Sequence, residues 1–82
     1  LYFDMKVKKL CELKKYQSGI ILAVEGDVHL RRRLLELGLT NGTVVKILSI
    51  SPLKNSFLIA LRNYTLALRK NSLDLVSVAV DE

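Results

Sequence analysis

Tryptophan is absent from this sequence, and cysteine, proline, methionine and histidine occur once each. A lone cysteine, Cys11, cannot close an internal disulfide, so nothing suggests a stapled extracellular scaffold, and a reducing, cytoplasmic setting fits best. Cys11 follows Leu10 in an apolar-rich segment and reads as a small hydrophobe rather than a reactive or ligating thiol. No apolar run approaches the ~20 residues that span a bilayer. The longest, Gly19 to Val24, has the length of a strand. The N-terminus has no apolar stretch behind a basic start, so it does not read as a secretory leader, and direct membrane insertion is not expected. Leu1-Tyr2-Phe3 reads as the remnant of a protease-site tag with Met5 as the natural start. Residues 1–4 are therefore set aside, and residues 5–82 are taken as one domain.

What is present is aliphatic. Half of the 82 residues are hydrophobic, mostly Leu, Val and Ile, and only 6% are aromatic. That is the profile of a thin but real core, not of a disordered tail. The net charge of +5 favours acidic surfaces, although solubility alone explains such a balance equally well.

The pattern along the chain is one of short strands and one helix. An extended start at Lys6-Val7 leads into a helical turn around Lys9 to Leu13, because Val7, Leu10 and Leu13 recur at three-residue spacing. Ile20 to Val24 is β-branched and apolar and predicts a strand. Asp27 can cap the helix that follows, over Val28 to Leu37, where Leu30, Leu34 and Leu37 form a stripe that Leu35 widens. Gly38 stands where a helix takes a left-handed residue to stop, and Asn41-Gly42 signals a turn. Further strands are expected at Val44 to Ile50, Phe57 to Arg62, Thr65 to Arg69 and Val76 to Val80, with a short helical turn after Asn71-Ser72. Asn63-Tyr64 would make the tight turn of the central hairpin, with Asn63 at positive φ. Phe57, Ile59 and Leu61 share a face that Leu66 and Leu68 can join. About five short strands of this kind predict a mainly β fold, a small barrel that removes its own edges by closing, with the amphipathic helix after the first strand capping one end.

Chemistry is scarce. His29 sits in the first helical turn and reads as an ordinary surface histidine. The acids Glu12, Glu25, Asp27, Glu36 and Asp74 are scattered beside lysines, turns and caps. There is no phosphate-binding loop, no dinucleotide fingerprint and no Cys/His pair at zinc spacing. No catalytic residue, metal ligand or cofactor is expected, and the chain reads as a binder rather than an enzyme.

Two features could carry binding. Arg31-Arg32-Arg33 could grip phosphate or an acidic partner, but three consecutive helix positions sweep most of a turn. One of them is expected to pair with Glu36, and a solvated helix face is the favoured reading. Pro52-Leu53 places an apolar residue in a loop of breakers, where Leu53 is either a core plug, the favoured reading, or an exposed contact for a partner. Nucleic-acid binders on small barrels add stacking aromatics. Tyr16 and Tyr64 are the candidates here, and both sit near turns.

Taken together these segments resemble the ferrous iron transport protein A (FeoA) family. Arg33 to Leu39 followed by Asn41 to Val45 resembles the family's helix end and turn, with Leu37, Gly38, Leu39 and Gly42 at its marked positions. Ser51-Pro52-Leu53 resembles its Pro-Leu loop, and Leu66-Ala67-Leu68-Arg69 its hairpin strand. Departures fall at Tyr16 and Lys54, which stand where glycine is usual, and at Asn63, which replaces a hairpin glycine. The resemblance implies an SH3-like barrel, similar also to the C-terminal domain of repressors of the diphtheria toxin repressor type. It implies a cytoplasmic accessory role beside FeoB, the membrane Fe(II) transporter with a cytosolic G-protein domain. Arg32, Arg33, Pro52 and Leu53 would then be the contact residues, with no nucleic acid as partner and room for weak self-association. Two other readings stay open: a basic nucleic-acid-binding barrel, and a metal-sensing oligomer using Cys11 or His29.

Overall fold

The computed structural model describes residues 5–81. The tag remnant expected at residues 1–4 lies outside the described residues. Six antiparallel strands form one sheet: β1 (Met5–Lys9), β2 (Ser18–Val24), β3 (Val44–Ile50), β4 (Ser56–Leu61), β5 (Tyr64–Arg69) and β6 (Val76–Asp81). A 3-10 turn, Leu10–Glu12, follows β1. Helix α1 (Val28–Glu36) joins β2 to β3, and α2 (Lys70–Leu73) joins β5 to β6. The architecture is mainly β and SH3-like.

The strand that sequence periodicity understates is β1. Its lysines hide a ladder that runs from Met5↔Asp81 to Lys9↔Ser77. The partner comes from the far end of the chain, so the pairing that makes these residues a strand leaves no local mark. The expected extended start thus grows to five residues, and α1 follows the second strand rather than the first.

Strand order is β1-β6-β2-β3-β4-β5, which leaves β1 and β5 as edges. The expected closure of the sheet on itself by hydrogen bonds is therefore not made. Instead α2 packs on β5 and on the 3-10 turn, and that turn packs on β6, so short helical pieces occupy the seam. Bulges between Ile21 and Ala23 and between Ile47 and Ser49 bend the inner strands. The carbonyl of Leu22, inside the first bulge, accepts from the Asn41 side chain at 2.6 Å.

The bend encloses an aliphatic core. Leu10, Ile21, Leu34, Leu39, Val45, Ile47, Ile59, Leu73, Val76, Val78 and Val80 are fully buried, with Phe57 and Leu61 beside them. At ~25 cal/mol per Å² of apolar surface, each of these side chains contributes roughly 1.5–3 kcal/mol. Gly19 lies inside β2, where a Cβ would stand 3.1 Å from Val78 Cβ and Cγ2. The missing side chain is what lets the valines of β6 reach across the core.

Helix α1 begins where Asp27 accepts from Leu30 N at 2.9 Å. It runs nine residues, with Leu37 as its C-cap, and ends at Gly38 with φ +108°. Leu34 enters the core, while Leu30, Leu35 and Leu37 pack against it half-buried. Gly42, at φ +89°, makes the turn into β3. Leu39 is fully buried, and Leu66 and Leu68 line the core from its margin rather than filling it. Arg62-Asn63 joins β4 to β5, but Asn63 does not take the expected positive φ. The non-glycine residues that do are Tyr16 (φ 70°) and Lys54 (φ 59°).

Candidate interaction surface

Leu53 is 83% exposed, which overturns the core-plug reading. The turn that presents it is closed by main-chain and side-chain hydrogen bonds. Ser51 N donates to Ser56 O at 2.9 Å and Lys54 N to Ser51 O at 2.8 Å. The Ser51 hydroxyl accepts from Asn55 N and Ser56 N and lies 2.8 Å from Asn55 Oδ1. Pro52 at the second position of this turn presets its φ, and Lys54 follows in the left-handed region. Leu53 is thus held out by a braced backbone, not left out by a loose one.

The three arginines of α1 divide. Arg31 Nε donates to Val24 O at 3.2 Å, so Arg31 ties the helix to the end of β2. Arg32 and Arg33 are exposed. Among the described residues no ion pair joins any of the three to Glu36, against expectation. The i+3 and i+4 spacing permits that pair, but an exposed pair returns too little to offset the freedom both side chains lose.

Arg33 stands on the rim of an open groove of about 360 Å³ between α1 and β5. Its floor is aliphatic, from Leu30, Leu34, Leu37 and Leu68, and Arg69 stands on the opposite rim. Lys54, next to Leu53, lines a different depression with Lys14, Lys15 and Lys70. The two share no lining residue, so the arginine pair and the Pro-Leu turn are not parts of one pocket. What links them is a shallow hollow of about 370 Å³ with Asn55, Ser56, Arg69, Lys70 and Asn71 on its walls. Arg69 and Lys70 are the residues sequence reasoning missed. The Leu-Ala-Leu-Arg run reads as a strand, and nothing in it shows that its arginine will face one from α1.

The aromatic candidates are both accounted for. Tyr64 Oη donates to Leu37 O at 2.6 Å. Tyr16 lies under Lys15 and Lys46, whose Nζ atoms stand 5.0 and 5.9 Å from its ring centroid. Cys11 is partly buried with Sγ 3.5 Å from Asp74 Oδ1. Burial pushes its thiol above the ordinary value of 9.0, and the hydrogen bond and charge of Asp74 push the same way, while Lys70 opposes them. That direction disfavours the thiolate, the form a nucleophile or metal ligand uses. His29 is exposed on α1. Among the described residues no three of His, Cys, Asp and Glu converge as a metal site would require, and no helix is long and apolar enough to cross a membrane.

Comparison with known proteins gives a family and a fold. The FeoA domain model matches residues 8–80. A Fe(2+) transport protein A/Fe(2+) transporter FeoB fusion protein of Porphyromonas gingivalis is 29% identical over 62 residues, 76% of this chain. The chain spans only 7% of that relative's length. The solution structure of a FeoA protein from Chlorobium tepidum is 30% identical, with a TM-score of 0.81 over 89% of this chain and 70% of that one. IdeR of T. acidophilum shares the fold alone, at 17% identity and a TM-score of 0.79, over 92% of this chain and 34% of that one.

Proposed function

The chain belongs to the FeoA family, and from that premise we propose that it is a non-catalytic accessory or regulatory protein of bacterial ferrous iron uptake. It acts in the cytoplasm by docking on the cytosolic side of the Fe(II) transporter FeoB. The observation that carries this reading is the Porphyromonas gingivalis relative, whose name joins the transport protein A and FeoB in one chain. Fusion holds two partners at high effective concentration, which is useful only where they act on each other. Docking alters transport if the protein binds one state of the transporter more tightly than another. The exposed Leu53 on its braced turn and the solvated Arg32 and Arg33 supply the contacts, with Pro52 setting the turn.

The test is an amide-shift NMR titration with the soluble G-protein region of the FeoB from the same organism, with a short single-stranded oligonucleotide as control. Shifts at Leu53 and at Arg32 and Arg33, weakened by Leu53→Ser and by an Arg32→Glu/Arg33→Glu variant, are the expected result. Silence with the G-protein region, together with shifts by the oligonucleotide that fade as salt rises, would overturn it in favour of nucleic-acid binding.

A further inference from the structure

Strand β5 is an edge with a built groove along it. It pairs with β4 from Ser56↔Arg69 to Leu61↔Tyr64 and, among the described residues, has no strand on its other side. Lys70 N donates to Asn55 O at 3.0 Å, which fixes the parity of the ladder. Residues 64, 66 and 68 turn their main-chain groups toward β4, while Thr65, Ala67 and Arg69 turn theirs outward. Among the described residues no strand pairs with the outward groups of Thr65 and Ala67 or with the outward N–H of Arg69, while the Arg69 carbonyl, at the N-cap of α2, serves the first turn of that helix. Ala67 and Arg69 line the groove whose far wall is α1, with Leu30, Leu37 and Leu68 on its floor and Arg33 and Arg69 on its rims. Leu37, whose carbonyl accepts from Tyr64 Oη, lines the groove on the α1 side, and Asn71 and Ser72 line it from α2.

We propose that this edge docks an extended acidic segment of a partner protein, which adds to the sheet as a seventh strand between β5 and α1. Main-chain bonds to Thr65, Ala67 and the N–H of Arg69 would supply the pairing. Alternate apolar side chains of the segment would lie on the aliphatic floor beside Leu68, and the intervening carboxylates would meet Arg69 and Arg33. Charge selects the occupant. Among the described residues no acid lines the groove, and Lys70 and Asn71 continue its basic end. A second copy of this chain fits poorly, because β5 would bring its own Arg69 and Lys70, and β1 carries Lys6, Lys8 and Lys9. Among the described residues no aromatic ring lines the groove for a nucleic acid to stack on. The other edge, β1, carries these lysines along its own strand, as guarded edges do. The inference names a kind of segment rather than a particular protein, so it stands or falls apart from the choice of FeoB as partner.

The experiment is an NMR titration of the full chain with a short capped peptide in which glutamate alternates with valine. A peptide with lysine for glutamate, an oligothymidylate and anionic phospholipid vesicles are the other arms. The expected result is shifts confined to residues 64–69 and the α1 face of Arg33 and Leu37, with slowed exchange of the Ala67 and Arg69 amides. Arg33→Glu/Arg69→Glu should weaken binding about tenfold, as two rim ion pairs would. Ala67→Pro, which removes an outward N–H without touching the β4 ladder, should weaken it at least as much. A well-dispersed spectrum for each variant shows that it folds. No shift at millimolar acidic peptide, equal binding of the lysine peptide, shifts centred on β1, or the same footprint from oligothymidylate or vesicles would each overturn the proposal.

Discussion

Tyr64 and Gly38 occupy each other's space. The phenolic oxygen of Tyr64 lies where a Cβ on Gly38 would stand, and from there it donates to Leu37 O at 2.6 Å. Gly38 therefore does two things: it takes φ +108° to stop α1, and it leaves room for the strap that ties the β4–β5 hairpin to the end of that helix.

That relationship predicts a coupled pair. Tyr64→Phe should cost ~1 kcal/mol by leaving the Leu37 carbonyl without its donor, about 4–8 °C in Tm for a domain of this size. Gly38→Ala should cost more, since left-handed backbone strain of ~1–2 kcal/mol adds to the clash. The double variant should be less destabilised than the sum of the two, because removing the hydroxyl relieves the overlap. Denaturant melts of the four proteins check this, and simple additivity would count against it.

Lys54 sits at φ 59° in a turn that its own N–H, donating to Ser51 O, helps to close. Lys54→Gly should raise stability by ~0.5 kcal/mol, the strain relieved less the greater freedom of glycine in the unfolded chain. Tyr16→Gly, at φ 70°, should come out near neutral, because it also loses the ring contacts with Lys15 and Lys46. Urea midpoints for the two variants measure the difference.

Gly19→Ala should destabilise by ~1–3 kcal/mol although φ there is ordinary, since the new methyl group meets Val78 at 3.1 Å and Val80 at 3.2 Å in the core. The companion change Val78→Ala in the same chain should restore part of the loss. A melt of Gly19→Ala indistinguishable from the parent would show that β2 and β6 separate easily.

The native state holds the Cys11 proton more tightly than the unfolded chain does. The thiol's contribution to stability is therefore complete below the unfolded value near 9.0 and is lost as pH rises through the raised folded value. Stability should fall with alkaline pH more steeply in the parent than in Cys11→Ser. Alkylation of Cys11 by iodoacetamide at pH 8 should be slower than that of the unfolded chain and should quicken in Asp74→Asn.

Much of this fold is written locally. Asp27, the leucine stripe of α1 and Gly38 announce a helix with both its ends, because capping, amphipathic period and left-handed termination each depend on a few neighbouring residues. Alternation from Phe57 to Leu61 marks the inner face of β4 in the same way. The left-handed residues could be suspected only from the family pattern. Tyr16 and Lys54, which stand where the family pattern has glycine, take left-handed φ, while Asn63, the chemically suitable residue, does not.

Residue type and near neighbours were enough to set the period and punctuation of most segments and the aliphatic core. Tertiary structure alone decided the rest. It paired the lysine-rich β1 with the C-terminal strand, left β5 as an edge, turned Leu53 outward and set Arg69 opposite Arg33 across a groove. Those outcomes depend on which distant segments meet. A strand's partner and an exposed side chain's neighbours are settled by the packing of the whole chain, and no local pattern encodes them.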